Sequence, residues 1–193
     1  MYISAVVREN SRHCKPGPSC AIAYFYFDFQ NKDARPPAVL RSLIKQFSLQ
    51  CSTTPDALEN LFTEHADGQC SPTLEELTST AKSIIHSFVD VYIIFDALDE
   101  SPDPHELLTL LRLIHDWGLD ALHLLVTSRK DRDIEKTLSR LVSHSVSMDE
   151  SFVDLDIRLH VSRTLKQDSK FQLFSAKETK RIETVLIGRA HGM

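Results

Sequence analysis

The 193-residue sequence is poor in the features of repetitive, extended or membrane-embedded proteins. Glycine occurs five times and proline eight times, which excludes collagen-like and linker-like chains. The longest apolar runs, Val91–Phe95 and Leu122–Val126, fall far short of the roughly 20 residues of a membrane-spanning helix. A net charge of -5 gives no electrostatic attraction to nucleic acid or to an anionic membrane. We therefore expect a globular chain with neither of these as a partner.

Common metal, redox and cofactor motifs are also missing. The four cysteines form no CxxC pair and the nine histidines form no HExxH pattern, so we expect reduced thiols in a cytoplasmic protein. The lack of a GxGxxG sequence argues against a Rossmann dehydrogenase. Asp96 and Asp99 are three residues apart, whereas a phosphatase of the aspartyl type needs Asp-x-Asp, so that hydrolase class is disfavoured.

The spacing of apolar residues switches repeatedly between that of strands and that of helices. Buried strands are predicted at Ala21–Phe27, Val91–Phe95 and Leu122–Thr127, and a further central or edge strand at Val142–Met148. Helices are predicted after Pro36, over 56–65, over 73–88, after Asp103 and around Ile134, with two more near the C-terminus. Strand–helix alternation predicts an α/β fold with a parallel sheet, followed by a short all-helical segment.

Two predicted helices begin with capping residues. Thr73 and Glu76 have the spacing of a capping box, in which each side chain bonds the backbone N–H of the other residue. Asp103 is predicted to cap the next helix, with Pro104 at its first position. Glu106 is expected to complete a second capping box there.

Charged side chains follow two of the predicted strands at the edge where open α/β sheets bind ligands. Asp96, Asp99 and Glu100 follow Val91–Phe95, and Arg129 follows the next strand. Three neighbouring acids repel one another and usually meet a cation, while the arginine suits a phosphate. An apolar strand that ends in Asp-Ala-Leu-Asp-Glu fits the Walker B element of a P-loop NTPase. Asp96 would then hold Mg²⁺ through water, and Asp99 or Glu100 would orient or deprotonate the attacking water.

Taken together, these motifs resemble the NACHT branch of the signal-transduction (STAND) NTPases. The resemblance is carried by FDALDE at Phe95–Glu100, HLLVTSRKDRDIE at His123–Glu135, AYFYFDF at Ala23–Phe29, VLRSLIKQF at Val39–Phe47 and VDLDIRLHV at Val153–Val161. The sequence is similar in particular to fungal proteins with a nephrocystin-like N-terminal NTPase domain, often ahead of ankyrin repeats. The resemblance implies a three-layer, P-loop NTPase-like core, MgATP or MgGTP as cofactor, and contact between Arg129 and the γ-phosphate.

The Walker A loop of that family, GxxxxGK[ST], is absent from the sequence. The segment Lys15–Ser19 contains a glycine, but its prolines lack the N–H groups that a phosphate cradle requires. Because Met1–Arg12 resembles the helix that follows the loop, we expect the chain to begin directly after its phosphate loop. The closing residues Ala190–Met193 resemble the point at which the family continues into a winged-helix region. We therefore expect millimolar or absent nucleotide binding.

The same resemblance implies that the sheet lacks its first strand. In this fold class the first strand lies between the strands predicted at Leu122–Thr127 and Val142–Met148. These two strands then have to pair directly or leave backbone groups unsatisfied. We expect a marginally stable, aggregation-prone chain unless a strand is supplied from elsewhere.

Two functional hypotheses follow. Residues 1–150 are predicted to be a partial NACHT-type NTPase core, and residues 151–193 the start of a C-terminal helical (lid) subdomain. In the first hypothesis, the chain is part of a cytoplasmic, nucleotide-controlled signalling switch whose parent protein self-associates or binds protein partners. Its relatives are NTPase-like, but we expect no catalysis by this chain alone. In the alternative, it is a non-catalytic interaction or scaffold module that assembles with intact NACHT homologues.

Overall fold

Parallel strands and helices alternate through the first part of the chain, as the apolar spacing predicts. The structure, a computed structural model, describes residues 20–65, 68–147, 150–171 and 174–190. The predicted helix at Met1–Arg12 and residues 191–193 lie outside the described residues. The chain divides into two compact units, Met1–Val142 and Ser143–Met193.

The order of elements confirms the predicted α/β class with an all-helical segment after the sheet. In chain order they are β1 (Cys20–Tyr26), α1 (Pro36–Ser48), α2 (Asp56–Glu64), α3 (Leu74–Ile85), β2 (Asp90–Asp96), a 3-10 turn (Leu98–Glu100), α4 (Pro104–His115), β3 (Leu122–Val126), α5 (Arg132–Leu138), α6 (Glu150–Gln167), a second 3-10 turn (Ser169–Phe171) and α7 (Ala176–Ala190). The three strands form a parallel sheet in the order β1-β2-β3.

The register of the sheet brings the ends of β2 and β3 together. Val91 of β2 lies beside Ala21 of β1 and Leu122 of β3 at the start of the strands. Phe95 lies beside Val126 at their other end. The residues that directly follow β2 and β3 therefore lie at the same edge of the sheet.

One face of the sheet forms the hydrophobic core with the helices of the first unit. The core includes Ala21, Ala23, Val91, Ile93 and Phe95 of the sheet, Leu40, Leu43 and Phe47 of α1, Leu77 and Ile84 of α3, and Leu107, Leu111 and Ile114 of α4. Burial of each large apolar side chain favours folding by about 1.5–3 kcal/mol. The apolar stripes of these helices are thus the faces that pack on the sheet.

The outer edge of β1 is closed by two glutamine side chains from α1. The N–H of Tyr24 donates to Oε1 of Gln46 at 3.0 Å, and Nε2 of Gln46 donates to the carbonyl of Tyr24 at 2.8 Å. Gln50 makes the same pair of bonds with Ile22, at 3.0 and 2.8 Å. The two amides take the place of a neighbouring strand and satisfy backbone groups that would otherwise lack a protein partner.

The capping prediction is confirmed for α3 and only partly for α4. Glu76 N–H donates to Oγ1 of Thr73 at 3.3 Å, and Thr73 N–H donates to Oε2 of Glu76 at 2.7 Å. The hydroxyl of Thr73, which donates to Oε2 of Glu76 at 2.7 Å, and the N–H of Thr73 together lower the pKa of Glu76. At α4, Asp103 accepts from the N–H of Glu106 at 3.0 Å. The second box is wrong, because the N–H of Asp103 donates to Oγ of Ser101 at 3.3 Å instead of to Glu106.

The strand predicted at Val142–Met148 is wrong over the part that the structure describes. Residues 142–147 have no strand structure, and Val146 is 88% exposed. The alternation arises from serine and histidine between two valines, so neither side of the segment offers enough apolar area to pack. Of the two expected alternatives, direct pairing of this segment with Leu122–Thr127 does not occur among the described residues. Met148 lies outside the described residues.

The cysteines are not all reduced. Cys20 is disulfide-bonded, so the expectation of reduced thiols is wrong at this residue. Cys51 and Cys70 are free, and Cys70 is exposed. Burial raises the pKa of the Cys51 thiol, which keeps it in the neutral form over a wider pH range.

The second unit is helical throughout its described elements. Helices α6 and α7 pack against each other, and Leu165 of α6 is buried. At the start of α7, Ser175 and Glu178 bond each other's backbone N–H groups, and the hydroxyl of Ser175 lowers the pKa of Glu178. No helix among the described residues is both long and apolar enough to cross a membrane.

Candidate functional site

The candidate site lies where β2 and β3 end side by side. After β2 the chain turns through Ala97, whose φ of 58° and ψ of 52° are left-handed, an uncommon conformation for a residue with a Cβ. The 3-10 turn Leu98–Glu100 follows at once. This sharp turn keeps the acidic residues at the end of β2 instead of leading them away from the sheet.

Thr127, directly after β3, holds the end of β2 in place. Its hydroxyl donates to Oδ1 of Asp96 at 2.5 Å and accepts from the N–H of Ala97 at 3.0 Å. Its backbone carbonyl accepts from the N–H of Leu98 at 2.9 Å. Thr127 therefore bonds three successive residues and fixes both the carboxylate of Asp96 and the left-handed turn. Sequence reasoning assigned Thr127 no role.

Asp99 is bound by the residues that follow Thr127. Its Oδ1 accepts from the N–H of Arg129 at 2.9 Å and from the hydroxyl of Ser128 at 3.4 Å. Its Oδ2 lies 3.5 Å from Nε of Arg129. The Asp99 side chain is 17% exposed, whereas the Arg129 side chain is 82% exposed. The carboxylate is thus held by the backbone as well as by the charge of the arginine.

Glu100 contacts the same arginine. Nη2 of Arg129 lies 3.4 Å from Oε1 of Glu100. Arg129 therefore bridges both carboxylates of the 3-10 turn. Because the guanidinium is largely in water, each of these ion pairs contributes at most about 1 kcal/mol, so an anionic ligand of higher charge can displace them.

The structure brings all four predicted site residues to one edge of the sheet. Asp96 bonds Thr127, and Arg129 bridges Asp99 and Glu100. The formal charge of these four side chains is negative, since three are carboxylates and one is a guanidinium. The assignment of Asp99 and Glu100 as catalytic, and of Asp96 and Arg129 as cofactor-binding, remains a prediction.

The donor set fits a magnesium ion held through water better than one ligated directly. Within the described residues, no group of three or more histidine, cysteine or acidic side chains is arranged to hold a metal ion. Oδ2 of Asp96 has no hydrogen-bond partner among the described residues, while Oδ1 is bonded to Thr127. Mg²⁺ commonly keeps several waters and uses only one or two carboxylates together with phosphate oxygens. Asp96 can therefore serve as a single, water-mediated ligand.

Asp96, Asp99, Glu100 and Arg129 form what we call the strand-end cluster. A groove of about 650 Å³ lies beside this cluster, between α4 and α5. Leu108, Ile134 and Thr137 are its buried lining residues. Its acidic lining residues include Asp99, which it shares with the cluster, and its basic ones include Arg112, whose Nη2 donates to Oγ1 of Thr137 at 3.3 Å. Asp96 and Arg129 do not line it, so the groove is a neighbour of the strand-end cluster rather than its binding cavity.

Comparison with known proteins assigns the chain to a family. The sequence model of the nephrocystin 3 N-terminal family matches residues 1–129. No curated protein and no solved structure matches the chain. The matched region contains β1, β2 and β3 and ends at Arg129, so it includes every residue of the strand-end cluster. The chain belongs to the nephrocystin 3 N-terminal family.

Proposed function

We propose that the chain is part of a NACHT-type, nucleotide-controlled signalling module and carries its cation- and γ-phosphate-responsive elements. The observation that supports the proposal is the convergence of Asp96, Asp99, Glu100 and Arg129 on one sheet edge, held there by Thr127 and Ser128. In this proposal Asp96 holds Mg²⁺ through water, and Arg129 exchanges its two carboxylate partners for phosphate oxygens of MgATP or MgGTP. The chain acts in the cytoplasm within a larger protein that self-associates or binds protein partners.

The affinity expected for this chain alone is low. None of its five glycines belongs to a GxxxxGK[ST] sequence, so no Walker A loop is available to supply N–H groups and a lysine to the phosphates. Hydrogen bonds to charged groups contribute roughly 1.5–3 kcal/mol each, so losing three or more removes about 5 kcal/mol or more. A micromolar ligand is held by only about 8 kcal/mol. We therefore propose millimolar binding without turnover.

Nuclear magnetic resonance of the isotope-labelled 193-residue chain tests this proposal. Titration with MgATP and with MgGTP is expected to shift the amide signals of residues 96–100 and 127–129, with half-saturation at millimolar nucleotide. Arg129→Ala is expected to raise the Kd at least about tenfold, because it removes a charge-assisted contact to phosphate. Arg163→Ala is the matched control, since Arg163 is an exposed arginine of the second unit.

The possible results separate the two functional hypotheses. A micromolar Kd would overturn the expectation of weak binding. The absence of shifts in residues 96–100 and 127–129 at saturating nucleotide would overturn the nucleotide-responsive function. An equal loss of affinity in Arg129→Ala and Arg163→Ala would remove Arg129 from the proposed phosphate contact.

The alternative, a non-catalytic interaction or scaffold module, is favoured by one specific observation. Arg129 already neutralises Asp99 and Glu100, the two residues predicted to act on water. The N–H and Nε of Arg129 and the hydroxyl of Ser128 already contact the two oxygens of Asp99, so these oxygens are not free to accept a proton from an attacking water. If nucleotide binding is absent, this stable cluster fixes the loops after β2 and β3 as a surface for an intact homologue.

A further inference from the structure

Two helices that run in the same direction form the groove beside the strand-end cluster. Because α4 follows β2 and α5 follows β3 in a parallel sheet, both helices begin at the edge where these strands end. The lining residues belong to the 3-10 turn after β2, to α4 and α5, and to the residues that flank these helices. The walls of the groove are therefore built from helices and their caps, and not from the edge of the sheet.

The end of the groove at the helix starts, which we call the acidic end, carries four aspartates. The side chain of Asp103 caps α4, and that of Asp131 caps α5. Asp99 is held by Arg129, and Asp133 adds a fourth carboxylate. Three of these four acids thus have a bonding role within the chain.

The other end of the groove, which we call the basic end, carries three cations. Arg112 lies in the last turn of α4, Lys136 lies in the last turn of α5, and Arg140 follows Lys136 by one helical turn. Nη2 of Arg112 donates to Oγ1 of Thr137 at 3.3 Å, so the guanidinium reaches from α4 to α5.

The cations of the basic end differ from the acids in that they have no partner of opposite charge. None of the three forms an ion pair with a carboxylate within the ranges that the structure describes. Helix C-termini favour cations, which accounts for the sign of these charges. Cations from two helices that line one groove also repel one another, and an anionic group bound between them relieves this repulsion.

Apolar side chains separate the two charged ends. Leu108 of α4 and Ile134 of α5 are buried and line the groove. Asp103 and Arg112 are nine residues apart, which corresponds to about 13 Å along a helix. An extended peptide covers this distance in about four residues.

We propose that the groove binds a short extended segment of a partner protein, with acidic residues at one end, an apolar residue in the middle and a basic residue at the other end. The acidic residues contact the basic end of the groove, and the basic residue lies beside the four aspartates. These aspartates repel the continuous negative charge of nucleic acid, so a segment with charges of both signs is the better match. The proposal does not depend on nucleotide, because Asp96 and Arg129 do not line the groove.

Nuclear magnetic resonance of the isotope-labelled 193-residue chain, with no nucleotide present, tests the proposal. The probe is the pentapeptide Lys-Ser-Leu-Glu-Glu with both termini blocked. It is expected to shift the amide signals of residues 104–112 and 132–140, with half-saturation at about 0.1–1 mM because exposed ion pairs are individually weak. The blocked peptide Glu-Glu-Leu-Glu-Glu is expected to bind at least about threefold more weakly, because its second acidic pair meets the acidic end.

Charge reversal at the basic end tests the site itself. Lys136→Glu combined with Arg140→Glu is expected to raise the Kd of the first peptide at least about tenfold, because attraction becomes repulsion. Arg41→Glu combined with Lys45→Glu is the matched control, since these exposed cations of α1 have the same spacing and the variant has the same net charge. Its Kd is expected to stay within about twofold of the wild-type value. Lys136→Gln combined with Arg140→Gln removes both charges without adding repulsion, and it replaces the reversed pair if that variant unfolds.

Three results would each overturn the proposal. They are the absence of saturable shifts in α4 and α5, binding of the all-acidic peptide as tight as that of the first peptide, and an equal loss of affinity in the two reversed pairs. A dimer of the wild-type chain, detected by translational diffusion without peptide and dissociated by Lys136→Glu with Arg140→Glu, would also overturn it, because a second copy would then occupy the groove. Since nucleotide is absent throughout, these results are independent of the nucleotide titration.

Discussion

The hydroxyl of Thr127 joins two features of the strand-end cluster that are otherwise separate. It bonds the carboxylate of Asp96 and the N–H of Ala97, the one described non-glycine residue with positive φ. A left-handed alanine is unfavourable by about 1–2 kcal/mol relative to ordinary backbone and persists when its surroundings hold it. Thr127 therefore fixes the direction in which the chain leaves β2.

We predict that Thr127→Val lowers the free energy of unfolding by about 1–3 kcal/mol, because the variant keeps the shape of the side chain but leaves the N–H of Ala97 and the carboxylate of Asp96 without their partner. Urea unfolding followed by circular dichroism measures the change. Thr127→Ser retains the hydroxyl and is expected to keep most of the wild-type stability.

Thr109→Val is a useful second control for that prediction. Thr109 is exposed on α4 and its hydroxyl donates to the carbonyl of His105, a bond within one helix. A similar loss in Thr109→Val and Thr127→Val would contradict a special role for Thr127.

The sequence allowed the charged members of the cluster to be predicted, but not the residues that hold them. Asp96, Asp99, Glu100 and Arg129 stand out because they follow buried strands, at the edge where open α/β sheets bind ligands. Thr127 is a common residue in and beside strands, and its role depends on the register that puts Phe95 beside Val126. A register between strands thirty residues apart is not readable from their apolar pattern, so the partner of Asp96 could not be named.

At the scale of the elements, α1 and β1 are joined by polar bonds as well as by the core. Gln46 and Gln50 are four residues apart, a rise of about 6 Å along a helix. Tyr24 and Ile22 are two residues apart, about 6.6 Å along a strand. The two spacings match, so both glutamine amides can bond β1 at the same time. They do so in only one position of α1 along the strand.

We predict that the double variant Gln46→Ala, Gln50→Ala lowers the free energy of unfolding by about 1–3 kcal/mol, since it removes four hydrogen bonds that water replaces in part. Urea unfolding again gives the value. Arg41→Ala, an exposed change on the same helix, is expected to have little effect. Equal unfolding midpoints for the double variant and Arg41→Ala would contradict the role of the glutamines.

The start of α3 gives the chain a defined acid sensitivity. Bonds from Thr73 lower the folded-state pKa of Glu76 below its ordinary value of 4.5. The capping box therefore stabilises the folded chain fully above the pKa that Glu76 has in the unfolded chain. This stabilisation is lost as the pH falls through the lower pKa that Glu76 has in the folded chain. We predict that Glu76→Gln lowers the Tm by roughly 2 °C at neutral pH. At pH values below the folded-state pKa of Glu76, where the wild-type carboxyl group is also neutral, we predict no change in Tm.

Thermal unfolding at a series of pH values, followed by circular dichroism, checks this prediction. Glu75→Gln is the matched control, because Glu75 is the neighbouring acid in the first turn of α3 and lies outside the capping box. A constant difference in Tm between Glu76→Gln and the wild-type chain at all pH values would count against the capping box as its source.

The elements that the sequence predicted well are those whose apolar residues are numerous and evenly spaced. Each apolar pattern is compatible with one type of secondary structure only. These patterns are the apolar stripes of α1, α3 and α4 and the continuous apolar runs of β2 and β3. The alternation of apolar and polar residues at Val142–Met148 was misleading. Serines placed between two valines give the same alternation as a half-buried strand. Whether such a segment becomes a strand depends on a partner and a core surface, which are properties of the whole fold.

At the scale of the whole molecule, the chain is divided into two units, and the three strands of the sheet all belong to the first. The first unit ends at Val142 and the second begins at Ser143. Residues 143–147 are exposed and lie in neither a helix nor a strand. Exposed backbone without secondary structure is where proteases cut first.

We predict that limited digestion with a protease of broad specificity, such as proteinase K, first cleaves within 143–147. Mass spectrometry of the early products is expected to show a fragment that ends in this segment and retains β1, β2 and β3. First cleavage inside α1, α3 or α4 would contradict the division into these units.

The division into two units has a spectroscopic consequence. The single tryptophan, Trp117, packs against the core of the first unit, and all four tyrosines also precede Ser143. Fluorescence excited at 280 nm therefore reports on the first unit alone. Far-ultraviolet circular dichroism also records α6 and α7, so the difference between the two signals during unfolding isolates the behaviour of the second unit without any introduced label.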